Sequence, residues 1–493
     1  METSRKDVVI IGAGLSGLVC AYRLKRFGVD ATLLESQERA GGVIRSEVID
    51  SFLIERGPNS AQGSEELLSL VDELGITDEL IEGDPKAPAY VYFGGRLHPV
   101  PMSPPAFIKS DLISFGGKLR LLAEPFVARR HDEGEESVAA FARRRIGIQA
   151  AERLVAPFVA GIYAGDSEQL SVQAAFPRLA NLESGYGSLF RGMIAKAREA
   201  KAAKKAAVNA SEPPRPRRKR LCSFKKGMGF LTDTIAARIG EVLITGCSDI
   251  RISDLKSEIS NKESDDLKSE ISNLRFQGDD YRFAVRFTRS GNDHYILCNN
   301  VIIATSAFAA SKLLRPVSNE LGRLLDEITY PPLSIAHLAY DRARVGNELS
   351  GFGFLAAPGA RLKILGCVWN TSLFEGRAPA GQVMMTVFIG GARHPELARL
   401  ADAELASTAH AELQRILAIS GNPFVISITR YERAIPQYNI GHTERVRKIE
   451  TEVCEQQGVK IAGNYLRGVS TGDCIKEAEQ LAMEIYKKVR SDS

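Results

Sequence analysis

The chain has 493 residues, 44% of them hydrophobic and 25% charged, an average globular composition that excludes disordered and fibrous classes. That length implies two or three domains. The formal net charge is only +4, but Lys196 to Lys226 carries twelve Lys/Arg against two Glu, a local +10 that leaves −6 for the remainder.

The N-terminus is the most informative stretch. Asp7–Ile11 reads as a buried parallel strand, and Gly12-Ala13-Gly14-Leu15-Ser16-Gly17 as a tight turn. A helix follows from Leu15 to Phe27, with Leu18, Val19, Tyr22 and Leu24 on its packed face. Ala31–Glu35 is the next strand, ending in an acid 18 residues after Gly17. Strand, glycine turn, helix, strand and acid in that order make the dinucleotide fingerprint, far stronger than a lone GxGxxG. Gly12 permits the turn, Gly14 lets backbone approach a pyrophosphate, and Gly17 lets helix and strand pack closely. The helix N-terminus offers N–H groups to phosphate, and Glu35 can accept from ribose hydroxyls. Arg39-Ala40-Gly41-Gly42 follows at once, and Glu55-Arg56-Gly57-Pro58-Asn59-Ser60 is a third polar turn. A nicotinamide dinucleotide has no evident need of them. The isoalloxazine end of FAD, extending past the first turn, does.

Residues 86–130 hold Pro99, Pro101, Pro104 and Pro105 among apolar groups such as Phe107, Ile108, Phe115, Leu119, Leu122 and Phe126. Lys118, Arg120, Arg129 and Arg130 interleave with them. Two readings stand side by side: an ordinary core helix, or a face that docks on acidic lipid headgroups. The basic run passes from Ala/Lys-rich sequence into Pro213–Arg220, a solvated excursion that would suit the same membrane surface. No aromatic residue interleaves with its charges before Phe224, which disfavours nucleic acid. Asp254–Asn261 recurs as Asp266–Asn273; two copies fall short of a solenoid and read as a lengthened loop without assigned function. Asn300–Thr305 reads as a strand returning to the nucleotide sheet.

Near the C-terminus, the strand Val459–Ala462 leads into Gly463 to Asp473 and a helix from about Cys474 to Val489. This second glycine-rich helix start supplies N–H donors and positive dipole for the other end of one ligand, where reduced flavin is anionic. Asp473 reads as a partner for a ribityl or phosphate-side hydroxyl, or as a helix N-cap. The seven cysteines are scattered, with no CxxC and no Cys/His cluster, so neither a disulfide framework nor a metal site is expected. The first residues enter a strand directly, so no signal or transit peptide is expected. No apolar run reaches the ~18 residues that span a bilayer. The expected location is cytoplasmic, peripheral on the inner face of the cell membrane.

Gly12–Gly17, Glu35 with Arg39–Gly42, Gly57–Ser60 and the C-terminal GNYLRGVSTGDCI together resemble the protoporphyrinogen oxidase family, within the flavin-containing amine-oxidase-like superfamily. The resemblance runs over nearly the whole chain. Its specific pieces include Pro157–Asp166, Gly351–Leu355 and Ile435–Tyr438 with Gly441-His442. It implies an α/β (mixed α+β) fold: a Rossmann-like FAD-binding domain, a mixed-sheet substrate domain and a helical membrane-associated domain. The FAD domain would comprise residues 1–85, 206–320 and 436–493, the helical domain 86–205 and the substrate domain 321–435.

The implied activity is oxidation of protoporphyrinogen IX to protoporphyrin IX in three two-electron steps, with oxygen as acceptor, in tetrapyrrole (haem or chlorophyll) biosynthesis. The implied FAD-binding set is Gly12, Ala13, Gly14, Leu15, Ser16, Gly17, Glu35, Ser36, Arg39, Gly42, Val43, Gly57, Pro58, Asn59, Ser60, Ile250, Val469, Ser470, Thr471 and Asp473. Leu355 and Val368 would sandwich the tetrapyrrole, Phe388 would stack on a pyrrole, and the Gly161 carbonyl would face the reacting bridge. Each also has a plain core reading. No catalytic side chain is expected, because the cofactor carries the chemistry, and His442 reads as structural. A ferrochelatase-type enzyme would act downstream, and a homodimer is left open.

One departure stands out. Relatives usually carry an arginine for a substrate propionate where this chain has Ala89, so either Arg96 or apolar burial has to substitute. Coproporphyrinogen III is the nearest alternative substrate. A flavin amine oxidase is a second alternative, although a single Trp369 offers little toward an aromatic cage. A non-enzymatic flavin scaffold is the third.

Overall fold

Residues 2–130, 134–208, 220–256 and 281–492 are described by the computed structural model. Most of the proline-rich basic excursion and most of the duplicated segment lie outside the described residues.

A continuous apolar run, Val8 to Ile11, is buried on both faces, as a central parallel strand requires. The strand Glu2–Ile11 pairs in parallel with Ala31–Leu34 on one side and Asn292–Ile303 on the other. Leu243–Ile244 and Val459–Ile461 extend this sheet in parallel, and Phe283–Arg289 and Ser248–Asp254 add antiparallel strands beyond Asn292–Ile303. Stretches from the start, middle and end of the chain therefore build one sheet. One face is covered by the helices Leu15–Arg26, Gly229–Ile239 and Thr471–Asp492. The other is covered by Ala307–Leu314, Asn319–Asp326 and His442–Glu455.

A second sheet of seven strands runs in the order Phe424–Tyr431, Leu333–Asp341, Gln382–Gly390, Gly366–Trp369, Gly353–Ala356, Ala89–Phe93, Arg96–Pro99. Its outer face packs Phe354, Trp369 and Met385 against the helix Asp402–Leu417. On the opposite, inner face Phe52 and Ile54 of the hairpin strand Phe52–Glu55 pack on Ala339 and Met384. Residues 89–99 belong to this sheet and not to the helical stretch that a boundary at residue 86 would give them. Ala89–Phe93 pairs in parallel with Gly353–Ala356, a partner too distant in sequence for any local pattern to report.

The remaining helices gather around Phe141, Val159, Tyr163, Leu170, Leu189 and Tyr438. Beside them, the fully buried Glu124 accepts from the Leu189 and Phe190 amides and the Ser188 hydroxyl, and pairs with buried Arg145. It thereby anchors the N-terminus of the helix Leu189–Val208. No side chain of the helices Pro104–Lys109 and Phe115–Leu122 is fully buried, with Phe107 and Leu121 half-buried, so neither is a core helix, although Leu112 and Ile113 between them are buried. Phe115 is 76% and Phe126 85% exposed.

Candidate functional site

The three glycine turns read from the sequence meet at the C-terminal end of the first sheet. A Cβ on Gly17 would stand 2.0 Å from the Gly12 carbonyl oxygen, so only glycine lets the helix start this close to the turn. The Ala13 amide donates to Glu35 Oε2 (2.7 Å) and the Gln37 amide to Oε1 (2.9 Å), which fixes the buried carboxylate against the first turn. Ser36 Oγ lies 3.3 Å from the same carboxylate. Ile250 lies in the bulged start of Ser248–Asp254, just beyond Cys247, whose amide donates to the Glu35 carbonyl.

The second turn closes on the first. The Gly41 amide donates to the Ala13 carbonyl (2.8 Å), and a Cβ on Gly42 would lie 3.2 Å from Gly14 Cα. Arg39 donates to the carbonyls of Ala40 (2.9 Å) and Gly42 (2.6 Å), bracing this turn from within. The third turn closes on the second: a Cβ on Gly57 would fall 2.2 Å from the Val43 carbonyl oxygen. Pro58, Asn59 and Ser60 continue from there, half-buried.

The C-terminal turn joins the same group. A Cβ on Gly472 would meet Ser64 Oγ at 2.4 Å, and Ser16 lies against Cys474. The last helix begins at Thr471, three residues earlier than expected. Ser470 is its cap: Ser470 Oγ accepts from the Asp473 amide (3.1 Å) and donates to Asp473 Oδ2 (2.5 Å). Asp473 is therefore the inner half of a capping pair and not the N-cap itself. Val469 leads into this turn, packed on the Tyr163–Tyr438 cluster.

This cradle fits an extended dinucleotide on three observations. The N-cap of the first helix, Gly14, has no side chain, so the first-turn N–H groups stay uncapped by the protein. A Cβ at Gly14 would meet nothing within 4 Å, so open space lies before those groups. Val43, between two tightly packed glycine turns and among the residues the resemblance sets against the cofactor, is 54% exposed.

The inner face of the second sheet carries the anticipated substrate residues. Leu355 pairs with Gly366 and Gly366 with Phe388 across three strands, while Gly353, Val368 and Thr386 form the next row. Leu355, Val368 and Phe388 therefore share one face. A Cβ on Gly161 would lie 2.9 Å from both Leu355 methyls, so the structure brings Gly161 onto Leu355. Val368 and Phe388 join Ile81, Leu221, Phe352, Leu373 and Phe374 in one apolar cluster.

Ala89 pairs with Gly353 on this face, exposed. Arg96 cannot stand in there. It pairs across from Phe93 at the far end of its hairpin and is ion-paired with Asp111, which also holds His98 Nδ1 (2.7 Å). Trp369 is buried on the opposite face against Tyr90, out of reach of any ligand on the inner one.

Several residues at the junction escaped the sequence reading. Asn370 Nδ2 donates to Asn59 Oδ1 (2.8 Å), and Thr386 Oγ1 donates to Asn370 Oδ1 (2.8 Å). His337 Nε2 donates to the Glu55 carbonyl (3.1 Å), and its Nδ1 faces Ser427 Oγ (3.0 Å). Burial pushes His337 down to about 4, so it is neutral at pH 7. Burial also pushes the Glu55 carboxyl up to about 7, against the opposing pull of Ser46, the Met228 amide and Arg377. Asn370, Thr386 and His337 have no local motif around them that could have revealed them; Glu55 and Asn59 lie in the polar turn legible in the sequence. His442 is structural: its Nε2 donates to the Leu466 carbonyl (3.0 Å), and its ring stacks on Tyr438 at 4.3 Å. A separate cavity of about 570 Å³, lined by Phe308, Lys312, Tyr330 and Arg433 among others, includes none of the anticipated site residues.

The sequence matches the profile of the family described as flavin containing amine oxidoreductase over residues 15–486. A chloroplastic protoporphyrinogen oxidase of Nicotiana tabacum is 32% identical over 490 residues, spanning 97% of this chain and 85% of that protein. A coproporphyrinogen III oxidase of Bacillus subtilis (strain 168) is 26% identical over 497 residues, spanning 97% of each. Among solved structures, a protein of Exiguobacterium sp. 255-15 named for protoporphyrinogen oxidase superposes with a TM-score of 0.76 at 23% identity, covering 99% of this chain and 100% of that one. Cyclohexylamine oxidase from Brevibacterium oxydans superposes at 0.63 with 14% identity, covering 98% and 99%. At those identities the superpositions speak for the fold alone.

Proposed function

The chain belongs to the flavin-containing amine oxidoreductase family, and on that premise we propose that it is an FAD-dependent oxidase converting protoporphyrinogen IX to protoporphyrin IX with molecular oxygen as acceptor. The observation that supports this reading is that Leu355, Val368 and Phe388 share one face of the second sheet, with Gly161 on Leu355, and that this sheet is hydrogen-bonded to the glycine-turn cradle through Asn370 and Asn59. Bound FAD supplies the hydride acceptor. The chain supplies position. The uncapped helix start at Gly14 receives the pyrophosphate, Glu35 the adenosine ribose, and Val43 an apolar ring. The wall excludes water from one side of a macrocycle, and Gly161, without a side chain, lets Leu355 pack directly on its backbone.

Coproporphyrinogen III is the second reading, favoured by the 26% identity to the Bacillus subtilis protein of that name. That substrate carries more carboxylates, and the exposed Ala89 leaves this face one cation poorer, which favours protoporphyrinogen. The amine-oxidase reading is weakened by Trp369, buried on the wrong face for an aromatic cage.

The exposed apolar helices support a peripheral position on a membrane. Met102, Ile108, Phe115, Leu122 and Phe126 are all exposed, with Lys109, Arg129 and Arg130 nearby in the chain. Among the described residues no helix is long and apolar enough to cross a bilayer.

Oxygen uptake measured in parallel with protoporphyrinogen IX, coproporphyrinogen III and a polyamine tests the assignment. Fastest turnover of protoporphyrinogen is expected; turnover of the amine alone would overturn it. Ala89→Arg is expected to lower KM for protoporphyrinogen about tenfold, the value of a regained charge-assisted contact. An unchanged KM would show that another cation already binds that carboxylate.

A further inference from the structure

Asn59, Asn370 and Thr386 lie where the cofactor cradle touches the substrate wall. Asn59 belongs to the turn Gly57–Ser60. Asn370 is two residues beyond Val368, and Thr386 is two residues before Phe388, paired directly across from Val368. One chain of hydrogen bonds connects them: Asn370 Nδ2 donates to Asn59 Oδ1 (2.8 Å), and the one Thr386 hydroxyl hydrogen is shared between Asn370 Oδ1 (2.8 Å) and, more weakly, Asn59 Oδ1 (3.3 Å). Thr386 is fully buried and Asn370 is 4% exposed, whereas Asn59 is half-buried. Both bonds made by the Asn59 carboxamide go to its oxygen, which leaves its NH2 without a protein partner among the described residues.

We propose that Thr386 and Asn370 are positioning residues that set the orientation of the Asn59 carboxamide, and through it the alignment of the flavin edge with the macrocycle. The macrocycle in this statement rests on the oxidase reading above; the flavin does not. Docking of the turn onto the sheet does not depend on the triad. Arg56 Nη1 donates to Thr429 Oγ1 (2.8 Å), Tyr431 Oη donates to the Arg56 carbonyl (3.1 Å), and His337 Nε2 donates to the Glu55 carbonyl (3.1 Å). The triad adds to these anchors a defined rotation of one amide. Rotation of that amide exchanges a donor for an acceptor at the cofactor edge, a change that a flavin reports through its spectrum and potential.

Thr386→Val keeps the shape and removes the hydroxyl; Thr386→Ser keeps the hydroxyl. With FAD-loaded protein, Thr386→Val is expected to shift the visible flavin band and the midpoint potential and to lower kcat about tenfold with KM within about twofold, while Thr386→Ser restores all three. Asn370→Leu, which breaks the same chain at its other link, is expected to reproduce the Thr386→Val signature. The proposal is overturned if Thr386→Val and Asn370→Leu keep the wild-type band and potential, or if they lower only the melting temperature. Failure of the wild type to oxidise any porphyrinogen would sink the substrate reading, and the spectral shifts would still decide the positioning role.

Discussion

At Gly17 and Gly161 the same substitution meets different obstacles. A methyl on Gly17 would run into the Gly12 carbonyl, which is backbone and cannot yield, so Gly17→Ala is expected to destabilise the fold by about 1–3 kcal/mol and to abolish FAD retention through gel filtration. A methyl on Gly161 meets only the ends of the Leu355 side chain, which can rotate. Gly161→Ala should therefore keep its FAD and melting temperature and lose kcat/KM about tenfold as Leu355 moves into the substrate space. His442 makes a third test. Burial holds it down to about 4, against about 6.5 in the unfolded chain. The folded protein thus binds fewer protons than the unfolded one between those values. The stability linked to neutral His442 is full above pH 6.5 and is lost as pH falls through 4, roughly 3 kcal/mol in all. His442→Gln can keep a donor toward the Leu466 carbonyl, so its melting temperature should fall less than that of the wild type between pH 7 and pH 4. Equal falls would place the acid sensitivity elsewhere.

Elements differ in how far their own sequence announces them. The strand, turn and helix from residue 7 to 26 are legible because period, glycine spacing and burial all agree over one short stretch. The helix Phe115–Leu122 has a readable apolar period too, yet which side is buried depends on neighbours that a local pattern does not contain. In the structure none of its residues is fully buried, and Phe115, Leu119 and Leu122 are exposed. Charge substitutions there should cost little stability, and Phe115→Glu with Phe126→Glu is expected to weaken binding to anionic lipid vesicles at least tenfold without lowering the melting temperature. Unchanged vesicle binding would remove the membrane from the account. Ala89–Phe93 shows the opposite failure: the strand is legible, but its membership in the second sheet comes from parallel pairing with residues 353–356.

On the scale of the molecule, the cradle is assembled from Gly12–Gly17, Arg39–Val43, Gly57–Ser60 and Val469–Asp473, so long-range parallel pairing delivers the last of these to the first three. The glycine motifs were readable because each carries its own geometric requirement. The Asn59–Asn370–Thr386 link was not, since Asn59 and Asn370 are 311 residues apart and neither sits in a motif that names its partner. The small net charge likewise divides by position, into a −6 body and a +10 stretch whose residues 209–219 lie outside the described set. Both sides of the site, cradle and wall, have to act on one substrate for the account to hold. Anaerobic stopped-flow mixing of the FAD-loaded protein with protoporphyrinogen IX tests this most directly. The visible flavin band is expected to bleach in step with substrate oxidation and to recover with porphyrin formation when oxygen is admitted. A flavin that stays oxidised in folded protein would overturn the oxidase reading.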